Sequence, residues 1–265
     1  MSVFALARLR GGLRPLRLYF FARLRSTNDH AARLRREGRL FAPAVVVSCR
    51  QTAGRGRGSN TWWSGPGVLT VTFVLPVRER LPAQELPLIA GLAVRDAAAE
   101  LADSPQIRLK WPNDVLHGGR KLAGLLCERV SRADLIGVGL NVNVDPKKAP
   151  AHLRDKITSL CCIAQKPLDM TDVLVALAHH MDRAVRRRME QPFVAFVRDY
   201  QRYDGLAGKR VVVSGAGPTP IDGICQGVDH KGRLVVRQRR TVHRIIAGTV
   251  TVAEAKPAAA QARRG

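Results

Sequence analysis

Aromatic side chains are scarce in this chain, 5% of 265 residues, and acidic residues are outnumbered by basic ones, 21 against 44. With so few rings, basic and aromatic residues do not alternate as a stacking platform for single-stranded nucleic acid requires. No apolar run approaches the roughly 20 residues that span a bilayer, which excludes a transmembrane helix and leaves a cytoplasmic protein without a membrane partner as the expectation. Cysteine is limited to Cys49, Cys127, Cys161, Cys162 and Cys225. Their odd number and unpaired spacing exclude a zinc site, a redox motif and a disulfide framework, and suit small core residues in a reducing compartment. Internal repeats are lacking too. The length suffices for one substantial core and a small second domain.

What the chain has in excess is positive charge, formally +23. Counterion release rewards such a surface beside a polyphosphate. Here, however, Arg outnumbers Lys in helices and tails alike, which reads as compositional bias and not as a patterned binding face, so no specific DNA binding is expected. The first 28 residues carry several Arg and no Asp or Glu, a composition shared with organelle transit peptides. Against that, Leu16, Leu18, Phe20 and Ala22 alternate as in a strand leading into Ser26-Thr27-Asn28, and the strand is the favoured reading.

Ser26 to Asp29 precede a helical stretch from His30 to Arg36 that Gly38 stops. Ala44 to Val47 reads as a buried strand, Val68 to Val77 as a second, and Glu85 to Leu101 as a long helix. Ile107 to Trp111 alternates as a strand ending in the turn Pro112-Asn113-Asp114. Lys121 to Val130 and Asp134 to Val144 predict an antiparallel hairpin. Helices are expected over Asp172 to Met189 and Phe193 to Tyr203. Beyond Gly205 the pattern shifts to short β pieces at Arg210–Val213, Gly223–Val228, Arg233–Arg237 and Thr249–Val252, which suggests a small barrel. Residues 255–265 lack periodicity and are expected to be disordered.

Polar and glycine residues concentrate where strands should end, the usual location of functional loops. In Gly54-Arg55-Gly56-Arg57-Gly58, glycines open the backbone amides to an anion while two guanidinium groups neutralise it. The loop is neither a Walker A motif, since no Gly-Lys-Ser/Thr follows, nor a dinucleotide fingerprint. In isolation it could equally be a solvated basic turn. Lys121 follows a glycine turn, and the Lys-Leu-Ala-Gly run to Gly124 permits close backbone approach.

Ser-Thr-Asn (26–28), Gln-x-x-Gly-Arg-Gly-Arg (51–57), Lys-Trp-Pro-Asn-Asp (110–114), Arg-Lys-Leu-Ala-Gly (120–124) and Gly-x-Gly-x-Asn-x-Asn (137–143) form an ordered series. That series closely resembles biotin protein ligases, also called biotin–acetyl-CoA-carboxylase ligases, from about Leu18 to Val252. The resemblance implies an α+β fold of the class II aminoacyl-tRNA synthetase-like type, with a mixed sheet flanked by helices as a catalytic domain over 1–204. An SH3-like barrel would follow over 205–254. It also implies two half-reactions, in which biotin and ATP give biotinoyl-AMP and a lysine of the biotin carboxyl carrier protein of acetyl-CoA carboxylase then takes the biotin.

By the same resemblance, Lys121 is the catalytic lysine. Arg55 and Arg57 hold the biotin carboxylate and nucleotide phosphates, with Gly54 and Gly56 giving backbone access. Ser26, Thr27, Asn28 and Gln51 line the biotin pocket, and Trp62 covers the adenine or closes the pocket. Lys110, Asn113, Asp114 and Asn141 match the nucleotide side, with Asp114 toward Mg2+, and Gly124 belongs to the same site. Trp111 reads as core or as a wall of the biotin cavity, and Trp63 as core. Where many relatives continue Arg-Gly-Arg-x-Trp after Arg57, this chain reads Gly58-Ser59-Asn60-Thr61-Trp62, which loses two cations.

With 25 residues before Ser26 there is no room for the winged helix of about 60 residues found in some bacterial relatives. A ligase without repressor function is therefore expected, and a homodimer is left open. Two rivals are weighed against this reading. Lipoate and octanoate ligases share the fold but lack Lys-Trp-Pro-Asn-Asp in their signatures. A basic nucleic-acid-binding regulator with a decayed site is opposed by intact Lys121, Arg55 and Asp114.

Overall fold

The computed structural model describes residues 3–253, so the expected disordered tail lies outside the described residues. The chain opens with helix α1 (Leu6–Gly12), strand β1 (Arg17–Phe21), helix α2 (Thr27–Arg36) and strand β2 (Ala44–Ser48). A two-residue hairpin, β3 (Gly54–Arg55) and β4 (Thr61–Trp62), precedes β5 (Val68–Pro76) and α3 (Leu86–Leu101). Next come β6 (Arg108–Lys110), β7 (Asp114–His117), β8 (Arg120–Val130), β9 (Ala133–Asn141), α4 (Leu160–Ala164), α5 (Met170–Glu190) and α6 (Phe193–Tyr203). The remainder is β10 (Arg210–Ser214), β11 (Ile221–Val228), β12 (Leu234–Gln238), β13 (Thr241–Ile245) and β14 (Thr249–Val252).

Seven strands form one sheet in the order β1-β2-β5-β9-β8-β7-β6; β1 and β2 run parallel and the other pairs antiparallel, the mixed sheet expected of the α+β class. Because successive strand residues point to opposite faces, Val45, Val47, Leu69, Val71, Phe73, Ile136, Val138 and Leu140 enter the large core with α3 and α5. Ala44, Val46, Val74 and Leu135 enter a smaller core under Ala31 and Leu34 of α2. The alternation therefore puts Thr70, Thr72, Gly137 and Gly139 on the α2 side of the sheet.

Local chemistry sets the entry to α2. Ser26 is extended and its hydroxyl accepts from the Asp29 amide, the usual N-cap bond. At the far sheet edge, Gly205 N donates to Leu109 O at 2.7 Å and Gln201 Nε2 to Val228 O at 2.9 Å, which joins α6 to the C-terminal unit. That unit is a five-stranded antiparallel sheet, β13-β12-β11-β10-β14, consistent with an SH3-like barrel. No helix of the described residues is long and apolar enough to cross a membrane.

The structure differs from the sequence expectations at several elements. α1 was not anticipated: in an Arg-rich run, only Leu9 of its residues is buried, with Leu13 just beyond its end, too few apolar positions for a period to register. The expected turn Pro112-Asn113-Asp114 lies one residue earlier, over 111–113, because β6 ends at Lys110 and Asp114 already begins β7 and pairs with Gly124. β13 escaped notice because Ile245 is its one buried residue. The strand expected to reach Val144 ends at Asn141.

Candidate active site

The register of β5, β9 and β8 aligns Thr70 with Gly139 and Gly124, and Thr72 with Gly137 and Leu126. Two rows thus cross the sheet on its α2 face, and Gly124, Leu126, Gly137 and Gly139 of them floor a cavity of about 300 Å³. The glycines are required by close approach. A Cβ on Gly137 would stand 2.2 Å from Asn28 Oδ1, and one on Gly139 would stand 2.2 Å from the Trp62 ring.

Ser26, Thr27, Asn28 and Gln51 line one end of the cavity. Their polar atoms are largely spoken for by one another. Gln51 Oε1 accepts from Thr27 N at 2.6 Å and from its hydroxyl at 3.1 Å, and Gln51 Nε2 donates to Ser64 Oγ at 3.3 Å. Asn28 Oδ1 accepts from the Thr72 hydroxyl at 2.6 Å, and Asn28 Nδ2 donates to Leu126 O at 3.1 Å and Glu128 Oε2 at 2.9 Å. Such mutual bonding holds the amides in set orientations before any ligand arrives.

The other end collects cations. Lys121 Nζ lies 2.6 Å from Asp114 Oδ1 and 5.6 Å from the Trp62 ring centre, while Lys110 and Arg57 line the same space. Burial holds Lys110 below the ordinary lysine value, with Lys121 lowering it further against the pull of Asp114. Burial likewise lowers Arg57. Three partly desolvated cations facing one carboxylate leave the cavity short of negative charge, the condition in which an anion is bound. Arg57 also donates to Gly248 O, so the glycine-arginine loop reaches the barrel, whose Thr249 and Val250 complete the lining.

Gly56, Asn113 and Gly124 line the cavity, and a Cβ on Gly124 would crowd Lys121 Cε at 2.9 Å. Trp62 also lines it, with a buried Nε1 that has no partner. Trp111 proves to be both core and wall: it is 2% exposed, lines the cavity and donates from Nε1 to Gly232 O of the barrel at 3.0 Å.

Two expected site residues are placed elsewhere. Asn141 is buried beyond the end of the floor, where Nδ2 donates to Lys121 O at 3.3 Å and Thr158 O at 3.0 Å, making it a strut for Lys121 outside the cavity lining. Gly54 is buried in β3, outside the cavity lining, and lets Trp62 O and Gln51 Nε2 approach to 2.5 and 2.9 Å of where a Cβ would stand, so close packing requires glycine there. Arg55 lines the cavity, yet its guanidinium faces Asp29 and Glu128. Among the described residues no group of three or more His, Cys, Asp or Glu could hold a metal ion. The acidic residue in the lining is Asp114, a donor set that fits Mg2+ carried on phosphates, which needs one or two protein carboxylates.

Sequence reasoning missed Glu128, Thr72 and the barrel edge. Glu128 could have been found, since it continues the alternation Gly124, Leu126, Glu128 on one strand face. The lost cations after Arg57 have a local counterpart: Gly56 N donates to Asn60 O at 2.7 Å and Asn60 Nδ2 to Arg57 O at 2.9 Å, so Asn60 closes the turn.

Residues 20–145 match the model of the Biotin/lipoate A/B protein ligase family. The chain is 34% identical to the biotin–[acetyl-CoA-carboxylase] ligase of Mycobacterium tuberculosis over 79% of each chain. It is 31% identical to the bifunctional ligase/repressor BirA of Bacillus subtilis over 78% of this chain, and the match spans 65% of that relative's length. Among solved structures, biotin protein ligase from Aquifex aeolicus in complex with biotin and ATP superposes with a TM-score of 0.79 at 28% identity, covering 89% of this chain and 98% of the other. A sheet face floored by glycines, a polar amide cluster at one end and a surplus of cations over carboxylates at the other accord with these matches, and the chain belongs to the biotin/lipoate protein ligase family, among its biotin protein ligases.

Proposed function

We propose that this chain is an ATP-dependent biotin–[acetyl-CoA-carboxylase] ligase. In the first step a carboxylate oxygen of biotin attacks the α-phosphorus of ATP, forming biotinoyl-5'-AMP and releasing pyrophosphate. In the second, the amine of a lysine on the biotin carboxyl carrier protein attacks the acyl carbon, an amide forms and AMP leaves. The observation that carries the reading is the surplus of cations, Lys121, Lys110 and Arg57, over the one carboxylate of Asp114 in a cavity whose other end is built from the uncharged polar side chains Ser26, Thr27, Asn28 and Gln51, with Arg55 there paired to Asp29 and Glu128.

The first step brings two anions together, so cations held where they meet lower the barrier electrostatically. Lys121 takes that position, with Arg57 and Lys110 on the phosphates. The end built from Ser26, Thr27, Asn28 and Gln51 suits a ureido ring, which offers both donors and an acceptor. Trp62 covers the intermediate and keeps water from the mixed anhydride. Asp114 would be the protein carboxylate that holds a magnesium ion, which when bound would supply further neutralisation of phosphate charge. The catalytic unit on this reading is 1–204, acting in the cytoplasm, with 205–254 as the barrel.

Biotin-dependent exchange of pyrophosphate into ATP by the purified chain tests the proposal. Lys121→Ala is expected to reduce exchange by on the order of 1000-fold, the scale of removing one preorganised electrostatic group. Exchange supported by lipoate or octanoate in place of biotin, or by no acid at all, overturns it.

A further inference from the structure

We propose that Glu128 is a positioning residue that registers the glycine-arginine loop against the biotin-side amides, and that Arg55 is its partner in this staple and not a ligand of the reacting anions. Glu128 divides its two oxygens. Oε1 accepts from Arg55 Nη2 at 2.9 Å, and Oε2 accepts from Asn28 Nδ2 at 2.9 Å. One carboxylate therefore ties the root of the β3–β4 hairpin to the amide cluster beneath it. Asn28 has no slack to take up, because its second amide hydrogen goes to Leu126 O, its oxygen takes the Thr72 hydroxyl, and Gly137 leaves space for nothing larger beside it.

Charge accounting separates Arg55 from Arg57. Arg55 faces two carboxylates, Glu128 and Asp29, so its surroundings sum to a negative charge that repels an incoming carboxylate or phosphate. Arg57 faces a neutral carbonyl, Gly248 O, and exchanges it for an anion without leaving a carboxylate unpaired. The loop is thus held at Arg55 and free to regrip at Arg57. A carboxamide cannot replace Glu128, since its single oxygen accepts from Arg55 or from Asn28 while its NH2 opposes the other donor.

The inference rests on the ligase reading for its kinetic readout, and a double-mutant cycle in pyrophosphate exchange tests it. Glu128→Gln and Arg55→Ala are each expected to raise KM for biotin about tenfold, the worth of one charge-assisted hydrogen bond, with kcat changed less than about threefold. The double variant is expected to be no worse than the poorer single one, because both changes cut the same tie. Glu128→Asp, which keeps the charge one methylene short, should recover part of the loss. Additive effects overturn the proposal. So does a fall in kcat of about 100-fold or more for Arg55→Ala beside a silent Glu128→Gln, which makes Arg55 a direct ligand of the reacting groups. Lower melting temperatures with unchanged KM overturn it as well. If the unaltered chain lacks biotin-dependent exchange, the ligase reading fails instead, and non-additive melting temperatures for the same variants still report whether the staple exists.

Discussion

Gly139 shows how a single residue decides the site. It carries no chemistry, yet the Trp62 indole occupies the volume that any side chain there would claim, with Cε2 at 2.2 Å from an ideal Cβ. Gly139→Ala is therefore expected to push the indole off the floor and raise KM for biotin and ATP by about tenfold, while strand β9, which accepts alanine readily, loses about 1 kcal/mol or less. Exchange kinetics beside thermal melting check this, and an unchanged KM would contradict it. The motif residues Gly137 and Gly139 were visible in the sequence, but their use was not: only the register with Thr72, Thr70 and Gly124 shows what they clear space for.

At the scale of elements, Lys121 owes its place to the backbone on both sides of it. Lys121 N donates to Lys156 O at 2.8 Å, Thr158 N donates to Lys121 O at 3.0 Å, and Asn141 Nδ2 ties Lys121 O and Thr158 O together from β9. Asn141→Ala leaves Thr158 O short of a donor in a buried place and removes the second donor of Lys121 O, and is expected to cost about 2 kcal/mol in urea denaturation. Adenylation should fall through kcat with KM for ATP little changed, and a selective rise in KM for ATP would return Asn141 to the nucleotide. Alternation along β9 puts Asn141 on the same strand face as Gly137 and Gly139; the segment 156–158 that covers it comes from a loop with no sequence signal, and that cover makes Asn141 a strut.

The whole molecule brings in the joint between α6 and the barrel. Tyr200 Oη and Asp204 Oδ2 are buried there without partners, and burial raises the Asp204 carboxyl above its ordinary value of 3.8. Between 3.8 and the raised value the folded chain keeps a proton that the unfolded chain has released, so this group favours folding most in acid and that contribution is lost as pH rises through the raised value. Asp204→Asn retains an oxygen for the Leu206 amide, which now bonds Oδ1 at 2.8 Å, and carries no charge. It is expected to melt higher than the parent near neutral pH, with the gap closing toward about pH 3. A gap independent of pH would contradict this. Charge also acts at long range. With a formal +23, encounter with an acidic carrier should be steered, so added salt is expected to slow transfer to the carrier more than it slows adenylation, and equal slowing would remove the idea.

By itself the sequence determined the ligase family, the mixed α+β architecture and most of the cavity lining, because strand alternation and ordered loop motifs are local signals that survive without coordinates. The tertiary structure decided how those residues are employed. Arg55 and Arg57 stand two residues apart in one loop, yet one meets two carboxylates from α2 and β8 and the other a barrel carbonyl. Pairing of that kind depends on chain segments 26, 73 and 191 residues away. No local pattern encodes which distant group will neutralise a charge, and it is that neutralisation that separates a staple from a ligand.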